Sequence, residues 1–393
     1  MTASAISVRN TNRIPLRYPL PMHLNDLQTP CALIDLDRFE ANCAAMADTA
    51  HRLGVRLRPH VKTHKTIQGA RIQTRGHFGG ITVSTLAEAR GFANAGFQDI
   101  TYAVPVAPQR LPEIVDLNAR IDRLSVIADH IVTVQAIEEI AAAHDTALPV
   151  WLKVDCGLHR AGVDPESDQA AALAGRLARS PRVDFRGILT HAGQSYGAAN
   201  RDETLAVARD ERSVSHSFVD RLAEEDIAVP AVSIGSTPTM IAVENLDGID
   251  EIRPGNYACF DAFQAAIGSC GLDDIAFSVL VTVVSAFPEE ERAVIDGGAL
   301  ALSKDPGPTH VDADCGFGVV VAVEDQHPLP GLRLTSLSQE HGVVKGPGSA
   351  ALRPGTRLRI LPNHSCLAAA CFDRFDIIRG NDVVGEWRSL RGW

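Results

Sequence analysis

Val150-Trp-Leu-Lys-Val-Asp-Cys-Gly-Leu-His-Arg160, the Ala- and Arg-rich stretch Asp168–Arg179, and then Phe185-Arg-Gly-Ile-Leu-Thr190 decide the fold. Two short apolar runs flank a segment whose apolar residues recur every three or four positions. That is a strand, an amphipathic helix and a second strand. The same rhythm continues outward. Gly80–Val83, Ile100–Ala103, Arg123–Ile127 and Ala231–Ile234 read as strands, and Leu86–Ala95 and Val132–His144 as helices. Repeated βα units of roughly 25 to 35 residues imply a parallel sheet, and close to eight of them favour a barrel. On periodicity alone an open doubly wound sheet stays as the alternative.

After Phe263 the texture changes. Ser278–Ala286, Arg292–Asp296, Val319–Val323, Leu332–Leu337 and Thr356–Leu361 are β-rich runs separated by Pro/Gly turns, with few helical patterns. The expected architecture is therefore α/β, a (β/α)8 TIM-type barrel over residues 24–265 followed by an antiparallel β domain over residues 266–393. The N-terminal segment 1–23 is expected to pack on the β domain.

Of 393 residues, 45% are hydrophobic and 22% charged, and the net charge is −11. No basic block is present, which argues against a nucleic-acid partner, because phosphate binding needs clustered Lys and Arg. The most apolar run, Ile275 to Phe287, is too short to cross a bilayer and reads as a strand, so no membrane role is expected. Met1 to Leu20 carries Arg9, Arg13 and Arg17 without an apolar core, which makes a cytoplasmic location the expectation. Eight cysteines without a CxxC pair suggest reduced thiols, mostly small core residues.

Chemistry concentrates in a few segments. Arg58-Pro-His-Val-Lys-Thr-His-Lys65 packs three cations and two imidazoles into eight residues. A strand ending at Lys62 would put its amine at a barrel mouth, where βα loops build active sites. Loss of a proton from that amine, needed for imine formation, requires desolvation or neighbouring cations, which His60, His64 and Lys65 can supply. A solvated basic loop is the bland alternative. Ser233-Ile-Gly-Ser-Thr-Pro-Thr239 and Arg253-Pro-Gly-Asn-Tyr257 are late turns suited to a phosphate. Lys153–Arg160 presents Asp155, His159 and Arg160 at a strand end, and the loop after Thr190 presents His191, which could stack on an aromatic cofactor, and Tyr196. In Leu361-Pro-Asn-His-Ser-Cys366, an extended chain puts His364 and Cys366 on one side. Imidazole and thiolate suit a borderline-soft ion such as zinc, although HxC by itself is not specific.

Taken in order, Arg58–Lys65, Arg253–Tyr257, Pro362–Cys366 and the closing Arg391-Gly-Trp393 resemble the fold-type III pyridoxal-phosphate enzymes, the alanine racemase-like barrel family. Within it they are similar to the group of D-serine dehydratases, D-threo-3-hydroxyaspartate dehydratases and D-threonine aldolases. The resemblance runs from about Leu27 to Trp393 and implies pyridoxal 5′-phosphate held as a Schiff base on Lys62, with Lys65 as the motif's second lysine. It further implies Gly235, Ser236, Thr237, Gly255 and Asn256 at the phosphate, Arg160 at the phenolic oxygen, and His191 and Tyr196 beside the ring. Lys62 and Tyr196 are the catalytic positions. His364 and Cys366 match the metal pair, for Zn2+ with Mn2+ or Co2+ as alternatives. Aldolases of the group carry His-x-Asp at the metal and a His where Tyr196 stands; Cys366 and Tyr196 follow the dehydratase branch. Gln194 stands where relatives vary, which leaves the substrate side chain open. The implied activity is elimination of water from a D-β-hydroxy amino acid by a homodimeric lyase. An aldolase, and after it a racemase or a non-catalytic pyridoxal-phosphate carrier, are the alternatives.

Overall fold

A computed structural model describes residues 22–393. The first of its two sheets has eight parallel strands: β1 Arg56–Leu57, β2 Ile81–Val83, β3 Asp99–Pro105, β4 Arg123–Ala128, β5 Leu148–Lys153, β6 Val183–Leu189, β7 Val232–Ile234 and β8 Glu251–Ile252. Neighbours in sequence are neighbours in space, and β8 returns to pair with β1. The ring closes just past β1, where Thr82 of β2 donates to Pro59 O at 2.9 Å and accepts from Val61 N–H at 3.0 Å. The α/β barrel is thus the fold, and the open-sheet alternative is discarded.

Helices cover the outside of this sheet, so its strands are apolar on both faces and Val126, Val150, Ile188 and Ile234 are fully buried. Asp168–Arg179 forms the helix read from its spacing. The Ser167 hydroxyl accepts from Ala170 N–H at its start, Arg176 and Arg179 occupy its last turn, and Leu173 and Leu177 face the sheet. At the barrel floor Arg58 donates to Glu251 at 2.8 Å and to Asp99 at 2.7 Å, so a buried cation is matched by two carboxylates.

The second sheet has ten strands organised about the long strand Phe277–Phe287. That strand pairs antiparallel with Cys31–Asp35, Arg292–Ile295 and Arg357–Pro362. Cys31–Asp35 corrects the expected division of the chain: it lies in the second sheet, not in the barrel. It also pairs parallel with Arg374–Arg379, so the sheet is not wholly antiparallel. Met22–His23 pairs with the strand Asp382–Arg388, while the remainder of the segment expected to pack on this domain lies outside the described residues. Among the described residues no helix is long and apolar enough to cross a membrane.

Candidate active site

A cavity of about 360 Å³ opens where the barrel strands end. Lys62, His60, Arg160, His191 and Tyr196 line it, as do Ser236, Thr237, Gly255 and Asn256 on the far side. A larger groove, about 920 Å³, lies on the flank between the helices Ile131–Ala143 and Asp168–Arg179. Arg176 and Glu138 of its lining pair with each other at 2.6 Å, and no cluster of catalytic side chains is gathered there.

Lys62 follows the short strand β1 in a tight turn, closed by Lys65 N–H donating to Val61 O at 2.8 Å. Of the three bases expected to surround its amine, only His60 does so. Burial, then the charge on Lys62, pushes the His60 imidazole well below its ordinary value. His64 is buried behind the turn, bonded to Thr66 and Gln73, and its imidazole is held down at about 4, chiefly by burial. Lys65 turns outward to Glu88 at 3.0 Å. These two brace the turn and do not reach the cavity.

Lys153 and Arg253, which the sequence reading did not single out, also line the cavity. Lys153 is buried, its amine bonded only to Val154 O at 2.8 Å, and burial brings it down to about 8. The clue was available: Lys153 is the last residue of a legible barrel strand, and such ends face the active site. Asp155 and His159 behave otherwise than expected. Asp155 accepts from Gly157 N–H, His159 N–H and the His159 ring, making a closed, solvent-facing turn, and neither lines the cavity.

The two late turns meet as anticipated, with one correction. The amide of Gly235 is already donated to Glu211 at 3.1 Å, and its carbonyl faces His191 Nδ1 at 3.4 Å, so Gly235 shapes the turn and Ser236 and Thr237 face the cavity. Its φ of +111° explains the glycine. At Gly255 a Cβ would stand 2.6 Å from His60 O, which makes the loop a close-fitting cradle. Asn256 sends its amide to Asp261 and to Ser365, both at 2.8 Å, while its own Oδ1 is buried without a partner. A cradle with small hydroxyl residues, an orphaned polar atom and four cations (Lys62, Lys153, Arg160, Arg253) fits a bound anionic aromatic such as pyridoxal phosphate.

His364 and Cys366 do come together, but not by strand alternation. The strand Arg357–Pro362 ends first; His364 is the cap of the short helix Ser365–Ala369, and Cys366 lies within it. A helix turn brings the pair together where extended chain was expected. His364 Nδ1 is 3.0 Å from Asp305 Oδ2, leaving Nε2 for Cys366 or an ion, the arrangement in which a carboxylate orients a metal-binding imidazole. Burial works against charge on both; even so, Asp305 raises the His364 imidazole, and His364 and Lys62 lower the Cys366 thiol. Thr63 Oγ1 lies 3.0 Å from Cys366 Sγ, which ties the pair to the residue next to Lys62. Among the described residues no group of three or more His, Cys, Asp or Glu is placed to hold an ion. An imidazole and a thiol side by side have the chemistry to ligate a borderline-soft ion.

Tyr196 rests on Phe263 with ring centroids 5.8 Å apart, and burial, then Cys366 and Asp261, drive its hydroxyl upward, so it stays a neutral phenol.

A parallel barrel with a lysine at its mouth, an anion cradle opposite and a β domain delivering a His/Cys pair defines a class of two-domain barrel enzymes. Residues 34–262 match the alanine racemase N-terminal domain and residues 276–378 a putative serine dehydratase domain, and the chain belongs to this family. It is 39% identical over 374 residues to a D-threo-3-hydroxyaspartate dehydratase of Delftia sp. (strain HT23), covering 93% of this chain and 98% of that one. A solved structure of that enzyme superposes with a TM-score of 0.89 at 38% identity, covering 94% of this chain and 100% of that chain. A D-serine dehydratase of Dictyostelium discoideum is 35% identical over 395 residues (94% and 98% covered), and a D-threonine aldolase of Arthrobacter sp is 30% identical over 373 (93% and 93%).

Proposed function

We propose that the protein is a pyridoxal-phosphate- and zinc-dependent dehydratase that converts a D-β-hydroxy amino acid to a 2-oxo acid and ammonia. D-Serine, D-threonine and D-threo-3-hydroxyaspartate are the substrate candidates. The observation that supports this reading is the 3.0 Å contact between Thr63 and Cys366, which sets the His/Cys pair beside the turn that carries Lys62, although neither His364 nor Cys366 is among the residues lining the cavity.

Pyridoxal phosphate, when bound, supplies an electron sink for negative charge at the substrate Cα. Lys62 would hold its aldehyde carbon, Ser236, Thr237, Gly255 and Asn256 its phosphate, His191 its ring and Arg160 its phenolic oxygen. A metal on His364 and Cys366 would supply Lewis acidity to the departing hydroxyl. Lys62 would take the proton from the substrate Cα, and a single base acting from one side would select one configuration. His60 and His191, held neutral by burial beside Lys62, add no positive charge of their own to the cavity. Tyr196, a phenol that burial keeps protonated, is poorly suited to act as a base toward the β-hydroxyl, which favours elimination over retro-aldol cleavage. A homodimer, with the exposed Val104 and Leu367 near the mouth as contact candidates, completes the reading.

Incubation with D-threonine tests it. The dehydratase gives 2-oxobutanoate and ammonia; glycine and acetaldehyde would make the protein an aldolase instead. Chelation should suppress turnover and added zinc restore it, whereas full activity in metal-free protein would remove the metal from the mechanism.

A further inference from the structure

Glu211 sits in the middle of the helix Arg201–Glu224, in a run of charged residues, yet it is fully buried behind the cavity. Its Oε1 accepts from three close donors, Thr190 Oγ1 at 2.7 Å, Ala192 N–H at 3.0 Å and Gly235 N–H at 3.1 Å, with the Cys156 thiol more distant at 4.0 Å. Those donors bracket His191 on both sides and reach the residue that precedes Ser236 and Thr237. Oε2 is buried with no hydrogen-bond partner among the described residues. A buried carboxylate left half satisfied is costly, and three donors converging on one oxygen fasten two loops from different strands, β6 and β7, to a single point. Arg253 reinforces the same junction by donating to Thr190 O and Ser233 O.

We infer that Glu211 is a positioning residue that holds His191 and the Ser236–Thr237 turn in register, fixing the plane and the phosphate of the cofactor together. This rests on the reading that the cavity holds pyridoxal phosphate. Glu211 is not among the residues lining the cavity and acts through the loops it ties.

The test compares Glu211→Ala and Glu211→Gln in the full-length holoenzyme. Gln keeps a carbonyl oxygen where Oε1 stands and puts its amide where Oε2 has no partner. The readouts are the visible circular dichroism of the bound cofactor and its dissociation constant, with the melting temperature of the apo protein measured alongside. Glu211→Ala is expected to weaken cofactor binding by about tenfold or more and to diminish the dichroic band, with Glu211→Gln restoring most of both. In a His191→Ala background the further loss of dichroism on removing Glu211 should largely vanish. If Glu211→Ala does not fold, Thr190→Val removes one of the three donors and should move the same readouts in the same direction by less. A folded Glu211→Ala protein, or failing that a folded Thr190→Val protein, with wild-type dichroism and affinity overturns the inference and leaves the cofactor reading intact. A wild-type chain that takes up no pyridoxal phosphate overturns both.

Discussion

Lys62 and Glu211 show two ways in which one residue can matter. Lys62 lines the cavity, and under the proposed function Lys62→Ala should lose the visible band of a lysine-held cofactor. Turnover should fall by about 10²–10⁴-fold, the share a positioned base contributes; a wild-type band in the variant would place the cofactor on another amine, and Lys153, which also lines the cavity, is the candidate. Glu211 affects stability as well. Burial raises its carboxyl above the ordinary range, so the folded state holds the proton longer than the unfolded chain does. Its contribution is most favourable below the unfolded value and declines as pH rises toward the folded one. Glu211→Gln should therefore melt progressively higher than wild type as pH rises from acid towards neutral; a constant difference between the two across that range would contradict the assignment.

At the scale of elements, the site is a set of strand ends drawn together. The loop after β8 approaches the loop after β1 so closely that Gly255 has no room for a side chain. Because the obstructing atom is the backbone oxygen of His60, two residues before Lys62, Gly255→Ala must displace the lysine turn. A cost of about 1–3 kcal/mol is expected, the usual range for overpacking, together with faster cofactor loss. An unchanged melting temperature and cofactor retention would show the two loops to be independent. The short helix Ser365–Ala369 performs the equivalent task for the second domain, bringing Cys366 to Thr63 and Ser365 to Asn256.

For the whole molecule, the two sheets do not form separable cores. One continuous buried cluster joins Val83 and Val126 of the barrel to Phe277, Val279 and Phe375 of the second sheet. The helix Leu36–Arg52 presses Phe39 against Trp387, ring centroids 5.5 Å apart, and the strand that precedes this helix belongs to the second sheet. A fragment spanning residues 36–265 would lose those partners and should fail to fold, and the intact chain should unfold in one cooperative calorimetric transition. Two well-separated transitions would show the domains to be autonomous.

What could be read from the residues alone follows from local physics. Barrel strands such as Leu148–Lys153 are buried on both faces and so appear as apolar runs, and the helix Asp168–Arg179 appears through its spacing and its charged last turn. The two late turns were legible because their glycines carry a backbone requirement; Lys62 was expected at the end of a strand, but the strand stops at Leu57 and a turn carries the lysine to the cavity. The two-residue strands Arg56–Leu57 and Glu251–Ile252 were not, being too short to show a period, and Arg374–Arg379 was hidden by its charged ends. Cys31–Asp35 has an apolar run that suits either sheet, and only its partners decide which. Glu211, Asp305 and Asp261 carry no local sign of burial at all. A carboxylate becomes a structural or orienting group when distant donors converge on it, and that convergence exists only after the chain has folded.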